Sequence, residues 1–506
     1  MKKLLLASTL LAFSLGVWAQ NQNFYDAAVA ANSELNGTAR FVSVGGAMGA
    51  LGGDASTVSY NPAGIGVYRS SELTLSGNIH WTNTSMGGDA PSNYISANLA
   101  NIAYIGTWLN PKEKGLITLN FGITYNRIKN MAREGRYSGI QQGSATQFIA
   151  QMTNGTDPNY FSDDLVDQFY NTDLAWRSIL GYQAYLIDPI TNPLNNETVY
   201  LPYYTKIGKG NVRTNLQFSE YGAHDEYGIS IGGNVENIFY WGMSFNCDYL
   251  YYNKRVGQQE IFNDGNAYTM HTNYAMEGCG FAYKLGFIVR PVNWLRIGAA
   301  FHTPTWYYME DWASASVSFK NPSKDNQTDY TDTPVSEGQF YLESPLSAMG
   351  SLGFVLGKFG FIGIDYQYTN SQNIILKDSH KTPQDIMNMA SNGAIADTHA
   401  FRIGAEFKPV DALALRIGGG YTMPIAKEGA TRHFYNNDVR CDMDYYNTKA
   451  SYNVTAGIGY RLDRHAVDLA YVWQVNQADF YAYQGADPIG LRSVRNQLVL
   501  TYGIRF

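Results

Sequence analysis

Eight histidines, three cysteines and 43 carboxylates are the groups in this 506-residue chain that could do chemistry, and their spacing argues that they do not. His80, His224, His271, His302, His380, His399, His433 and His465 form no i, i+4 pair and no cluster, so zinc or haem ligation has no support from spacing. Cys247, Cys279 and Cys441 are too few for a disulfide framework and show no CxxC motif. There is no Gly-x-Ser-x-Gly elbow and no paired catalytic carboxylates on a recognisable scaffold. The glycines between Gly45 and Gly53 suggest a phosphate-cradling loop, but the run lacks the Lys-Ser/Thr ending and no strand leads into it. Neither an enzyme nor a cofactor or metal site is expected. Three arginines are left as binding candidates, Arg296, Arg402 and Arg416, because a guanidinium fork can hold a carboxylate by two hydrogen bonds.

The elements around those arginines alternate. Charged residues make up only 16% of the chain, against about 25% in average soluble proteins, while Gly reaches 50 and Tyr 39. A net charge of -7 without basic blocks makes nucleic acid an improbable partner. Lys2 and Lys3 before the apolar run Leu4 to Val17, with Val17-Trp18-Ala19 before Gln20, predict a signal peptide over 1–19. From there to Phe506 the dominant period is two, which means strands. Fourteen are expected, near 71–84, 94–108, 115–128, 223–235, 238–256, 266–290, 293–318, 337–357, 359–372, 397–408, 413–424, 440–461, 464–480 and 491–506. Their connections are alternately short and long, and Phe239, Trp241, Met243, Phe245, Tyr249 and Tyr251 share one face. Both features mark an all-β transmembrane antiparallel barrel with short periplasmic turns. An even strand number closes it with no edge exposed to lipid.

Strand parity turns Leu295, Ile297, Phe401, Ile403, Leu415 and Ile417 to lipid and therefore Arg296, Arg402 and Arg416 inward, with Asp365, Glu406 and Asp468 at similar heights. Either these arginines bind a ligand head group or they brace the barrel in ion pairs. A local pattern recurs: Lys284-Leu285-Gly286, Arg296-Ile297-Gly298, Arg402-Ile403-Gly404 and Arg416-Ile417-Gly418, in two hairpins with Pro291 and Pro409 at their turns. The region 129–222 interrupts the alternation with helical fragments around Gln147 to Met152, Asp163 to Tyr170 and Leu174 to Ile187. As a large extracellular insertion it offers Phe148, Phe169, Trp176 and Leu180 either for ligand capture or as a core of its own.

Residues 20–70 do not alternate and hold a Gly/Ala-rich run whose small residues permit close backbone packing. The stretch Ala39 to Gly66, ARFVSVGGAMGALGGDASTVSYNPAGIG, resembles the amino-terminal hatch of the FadL/OmpP1/TodX family of outer-membrane transport proteins. The matching residues are Asn61, Pro62, Ala63 and Gly64, with Asp54 before them. The resemblance implies a hatch over 20–70 plugging a fourteen-stranded barrel over 71–506 in the outer membrane of a Gram-negative bacterium. It also implies passive uptake of small hydrophobic molecules, long-chain fatty acids foremost. Its partners would be the ligand, outer-membrane lipid and the barrel-assembly machinery, with the protein a monomer. Relatives labelled hemin receptor, and FadL-like barrels serving protein secretion, leave those two functions as alternatives.

Overall fold

The structure is a computed structural model that describes residues 23–31, 34–112, 114–161, 168–169, 174–190, 202–205, 210–321 and 327–506. The expected signal peptide, and residues 163–167 and 170 of the expected helix Asp163 to Tyr170, lie outside the described residues. Among those described, fourteen antiparallel strands close into one barrel. Closure is made by the first strand, Glu72–Met86, pairing with the last, Ile489–Arg505, from Glu72↔Arg505 to Met86↔Leu491. The ring of strand pairs is thereby closed, with no free edge along the belt.

Alternation produces two surfaces. Ile297, Leu352, Ile364 and Ile403 lie side by side across four neighbouring strands, all exposed on the outside. Trp294, Tyr366, Phe401, Tyr421, Tyr460 and Tyr502 add exposed aromatics to that surface. A belt of this composition is a lipid-facing surface with aromatic girdles, the exterior of an outer-membrane-type barrel. No described helix is long and apolar enough to cross a membrane. On the inside the same strands carry Asn78, His80, Thr82, Asn101, Asn120 and Asp365, all buried.

The wall departs from the expected strands in four places, each with a physical cause. The run 293–318 is two strands, Leu295–His302 and Trp306–Asn321, because Pro304 has no N–H for the ladder. Its neighbour 337–357 divides at the same height into Ser336–Glu343 and Ser347–Val355, around Pro345. The insertion is shorter than 129–222: Arg133–Gln142 continues the wall and pairs with the first half of Asn211–Val235, from Arg133↔Glu220 to Gln142↔Asn211. That stretch rises above the lipid, so its sequence has no reason to alternate apolar with polar. Arg440 to Asp444 is no strand but a buried extended segment; the strands begin at Tyr445–Thr448 and Ser451–Leu462.

Wall height is strongly uneven. Asn211–Val235, Phe239–Ile261 and Ala267–Val292 have 25, 23 and 26 residues, whereas Gly360–Thr369 and Leu413–Thr422 have 10 each. A tilted strand needs about 9–11 residues to span hydrocarbon, so the low side only spans while the tall side projects far beyond it. On the projecting part sits a cap built from the helices Ala145–Thr153 and Trp176–Gln183 over Leu216, Phe218, Val256, Met270 and Phe319 of the wall.

Ile364→Arg places a cation in the middle of the lipid-facing row, and unfolding in lipid vesicles should show a loss of about 2–4 kcal/mol. Tyr368→Arg, on the same face at the top of the same strand, should lose clearly less. Equal losses at the two heights would refute the assignment of the belt.

Candidate functional site

The segment Thr38 to Tyr68 fills the barrel and is almost wholly buried. Thr38 caps the short helix Ala39–Ser43, its hydroxyl accepting from Phe41 N and donating to Asp54 Oδ1 at 2.7 Å. Asp54 also accepts from Ser56 N at 2.9 Å, so one carboxylate joins both ends of the glycine-rich run. Gly45 and Gly46 take φ of 64° and 76°, left-handed values that fold the run back on itself. Asn61 Nδ2 donates to Gly49 O at 2.7 Å and to Phe287 O of the wall at 3.3 Å, while its Oδ1 accepts from Ala63 N. Pro62 then opens a single 3-10 helix, Pro62–Val67, and Gly64 O closes the plug by accepting from Gly53 N.

Around this plug the wall presents glycines. A Cβ at Gly363 would collide with Ala47 O, at Gly404 or Gly418 with Val44, at Gly298 with Gly49 O, at Gly242 with Pro62, and at Gly286 with Asn61 Oδ1. Gly353, Gly363, Gly404 and Gly418 are in register across four strands, forming a collar against which the plug's backbone rests. The recurrent basic-apolar-glycine triplet is thereby explained. Its glycine faces the plug, its middle residue faces lipid, and its basic residue, two positions before the glycine, also faces in.

All four bases engage the plug or its anchors. Lys284 pairs with Glu226 and donates to Ser59 O at 2.9 Å. Arg296 Nη1 donates to Leu51 O at 2.6 Å. Arg402 lies over the Tyr60 ring at 5.3 Å and donates to Gln367 Oε1. Arg416 bridges Glu406 at 2.7 Å and Asp468 at 2.5 Å, and Glu406 also holds Arg40 of the plug. Of the three candidate ligand arginines, only Arg402 therefore faces the lumen above the plug; Arg296 and Arg416 sit below or beside it.

Above the plug the described amino-terminal helix, Phe24–Ala31, stands inside the barrel. Tyr25 OH donates to Asn447 Oδ1 at 2.8 Å, and Asp26 pairs with Arg440. Between helix and plug lies a cavity of about 210 Å³. Tyr25, Leu35, Tyr60, Met131, Tyr252 and Ile425 give it apolar surface, and Arg402, Arg133 and Arg495 give it charge, the last two paired with Glu220 and Glu34. Its rim includes Thr422 to Ala426 and Ser451, where the low strands end. Among the described residues no histidine lines it. His302 instead reaches Tyr60 O, His399 reaches Tyr366 OH and His465 reaches Tyr502 OH.

A chain of buried ions fastens the cap to the lumen. Arg440 holds Asp442 with both Nε and Nη2, at 2.8 and 2.7 Å, while Arg432 takes the same carboxylate at 2.8 Å. Lys254 of the wall pairs with Asp444, and Arg177 of the cap pairs with Asp438 at 3.0 Å. Burial alone would raise the Asp442 carboxyl, but the two guanidiniums hold it well below the usual range. The alternating charges Asp438, Arg440, Asp442 and Asp444 were the sequence signal for this chain, hidden because period two also reads as a strand. The four capture candidates lie in the cap's own core: Phe148, Phe169, Trp176 and Leu180 are all buried, Phe169 against the Trp176 ring.

The chain matches no protein-family model and no curated protein. Among solved structures it is similar to a FadL homologue from Pseudomonas aeruginosa, at 12% identity and a TM-score of 0.53, over 94% of this chain and 99% of that one. It is also similar to the toluene transporter TodX of P. putida, at 13% identity and a TM-score of 0.47, over 94% and 99%. The toluene transporter TbuX of Ralstonia pickettii gives 13%, 0.48, and again 94% and 99%. The first of these likenesses shows a shared fold: this is a FadL-type barrel.

Gly363→Ala should disturb the plug, with a stability loss of about 1–3 kcal/mol from overpacking and a raised leak of small ions in planar bilayers. Gly350→Ala, where an added Cβ meets nothing, should change neither. Arg440→Met leaves Asp26 and part of Asp442 without their partner, and thermal unfolding should register about 3–5 kcal/mol. A silent Gly363→Ala, or an Arg440→Met protein as stable as the parent, would contradict the packing described.

Proposed function

We propose that this protein is an outer-membrane channel for the passive uptake of small hydrophobic molecules. The observation that carries the reading is the cavity between amino-terminal helix and plug, where Tyr25, Leu35, Tyr60, Met131, Tyr252 and Ile425 give apolar surface beside the charges of Arg402, Arg133 and Arg495, inside a barrel closed above by a cap. Water-filled pores do not need such a lining, whereas an apolar solute gains about 25 cal/mol per Å² of surface it removes from water. The rim at the low strands puts the cavity's mouth near the height of the outer girdle, where a solute dissolved in the outer leaflet can reach it without opening the cap. The hatch over 20–70 is on this reading a plug against leakage, with Asp54 and Asn61 to Gly64 as the residues that set its shape.

Long-chain fatty acids are the ligands we put first, with Arg402 above the plug to meet the acid group. Phe148, Phe169, Trp176 and Leu180 serve as a capture surface only if the cap opens; packed as they are, they hold the cap together. A haem function gains no histidine from the cavity wall among the described residues, and nothing about the closed mouth favours secretion of folded cargo. The activity is transport and not catalysis.

In liposomes, the purified protein should speed equilibration of a neutral aromatic hydrocarbon and of oleate, and leave glucose excluded. Ala28→Phe fills the cavity from the amino-terminal helix and should lower both hydrophobic fluxes at least tenfold without shifting the melting midpoint. Fluxes that ignore Ala28→Phe, or a protein that admits glucose equally well, would refute the proposal.

A further inference from the structure

A second hollow, of about 480 Å³, lies beneath the plug at the short-turn mouth. Its roof is the plug's Leu51 to Gly53, and its walls come from the turns near 357 and 411 and from strand ends at Gly459 to Arg461 and Arg505. Eight basic side chains line it against three carboxylates. Most of the negative charge is already shared: Arg40, Lys408 and Arg416 all engage Glu406, at 3.3, 3.5 and 2.7 Å, and Arg416 takes Asp468 as well. Of the other five cations, Arg505 pairs with Glu72 and Arg69 donates to Asn237 Oδ1, which leaves three. Arg461 and Lys358 make no ion pair among the described residues, and the charges felt most strongly by Arg461 are those of Arg505 and Arg40. Arg296 spends Nη1 on Leu51 O, and its Nε is buried with no hydrogen-bond partner among the described residues.

Like charges on an open surface are screened within about 8 Å at physiological salt. Lining a recess, they are screened less and focus their field into it. The ion pairs that brace plug to wall use Glu406 and Asp468, and Lys358 and Arg461 take no part in them. We propose that this hollow is an anion-binding vestibule that takes the carboxylate or phosphate head group of a small amphiphile through Arg296, Lys358 and Arg461. It rests on the uptake reading in one respect: an acid that has crossed the plug meets this vestibule next, and leaves the hydrophobic path by its head. The same chemistry would accept the head group of an anionic lipid from the inner leaflet.

The test uses the full chain in phosphatidylcholine nanodiscs, with radiolabelled octanoate and octanol in equilibrium dialysis. Octanoate should bind saturably, more weakly at high salt, and at least tenfold more weakly in the Arg461→Gln/Lys358→Gln protein; octanol should not distinguish the two proteins. Binding should persist in Ala28→Phe, which obstructs only the lumen cavity. No octanoate binding, binding unaffected by the double substitution, or binding abolished by Ala28→Phe would overturn the vestibule. Thermal unfolding of the double variant within 2 °C of the parent excludes a folding defect; should it unfold earlier, Lys358→Gln alone, in an exposed turn, gives the same readout. Repeating the titration in phosphatidylglycerol nanodiscs identifies the source. Competition assigns the site to lipid head groups, and unchanged affinity assigns it to the free acid. A vestibule that fails while hydrophobe flux persists leaves the uptake reading standing, whereas loss of flux by the parent protein sinks that reading directly.

Discussion

Everything in this barrel depends on how closely one stretch of backbone approaches another. The plug's carbonyls at Val44, Ala47, Gly49 and Pro62 lie where a wall side chain would otherwise stand, and only because residues 298, 363, 404, 418 and 242 are glycine can they lie there. A barrel of fourteen strands is too wide for its own side chains to fill and too narrow to admit a folded domain with side chains on both surfaces. Removing the Cβ from one surface resolves the conflict. The penalty is the loss of β-propensity that glycine brings to a strand, offset here because ladder pairing on both sides fixes each glycine. The outward neighbours, Ile297, Ile403 and Ile417, restore apolar surface to the lipid side of the same strands.

Charge is arranged around that collar with the same economy. Bases two residues before the glycines reach the plug's carbonyls or the carboxylates that hold it, so register alone places donor and glycine on one face. Higher up, the Asp26–Arg440–Asp442–Arg432 chain joins amino-terminal helix and loop, and Arg177–Asp438 and Lys254–Asp444 extend it to cap and wall. Buried ions in such number are poor stabilisers compared with apolar packing, but breaking any one of them leaves a partner stranded at several kcal/mol. They fix which elements meet. The plug, the helix above it and the cap are thus positioned by discrete contacts and not by general collapse.

How much of this could be read from the residues follows from where lipid acts as the judge. Inside the belt every strand must alternate, so the run Phe239 to Phe245 and the arginine triplets announced both their strands and their facing. Above the belt that pressure is absent: Arg133 to Gln142 looks like loop while forming wall, and Arg440 to Asp444 looks like wall while forming an ionic core. The apolar residues of the insertion were visible as apolar, yet a helix with one buried face has the same sequence whether a ligand or a neighbouring helix covers it; packing of Phe169 on Trp176 decides that only in three dimensions. The triplet repeat was visible too. Its meaning was not, because nothing in Arg-Ile-Gly says that another segment's backbone, more than two hundred residues away, will occupy the space above the glycine.

The collar also constrains how anything could pass. Removing the plug whole would break hydrogen bonds from Gly49 N to Asp365, Asn61 to Phe287 O, Ala39 N to Thr501, Thr455 to Ser43 O, Thr118 to Gly66 O, Asn120 to Ile65 O and Arg296 to Leu51 O. At about 1 kcal/mol each, these alone slow ejection by roughly five orders of magnitude. The ion pairs at Glu406 and Glu226 add several kcal/mol more. On the proposed uptake reading the protein has no energy source to meet this cost, so a movement that keeps these bonds is the cheaper route. Movement must instead be local, and the seam offers one place for it: Leu51 to Gly53 and Val67 form the plug's edge over the cationic hollow, where packing already leaves space. A shift confined to that edge keeps the collar at Gly363, Gly404 and Gly418 closed, so a solute can leave while the barrel stays sealed to ions.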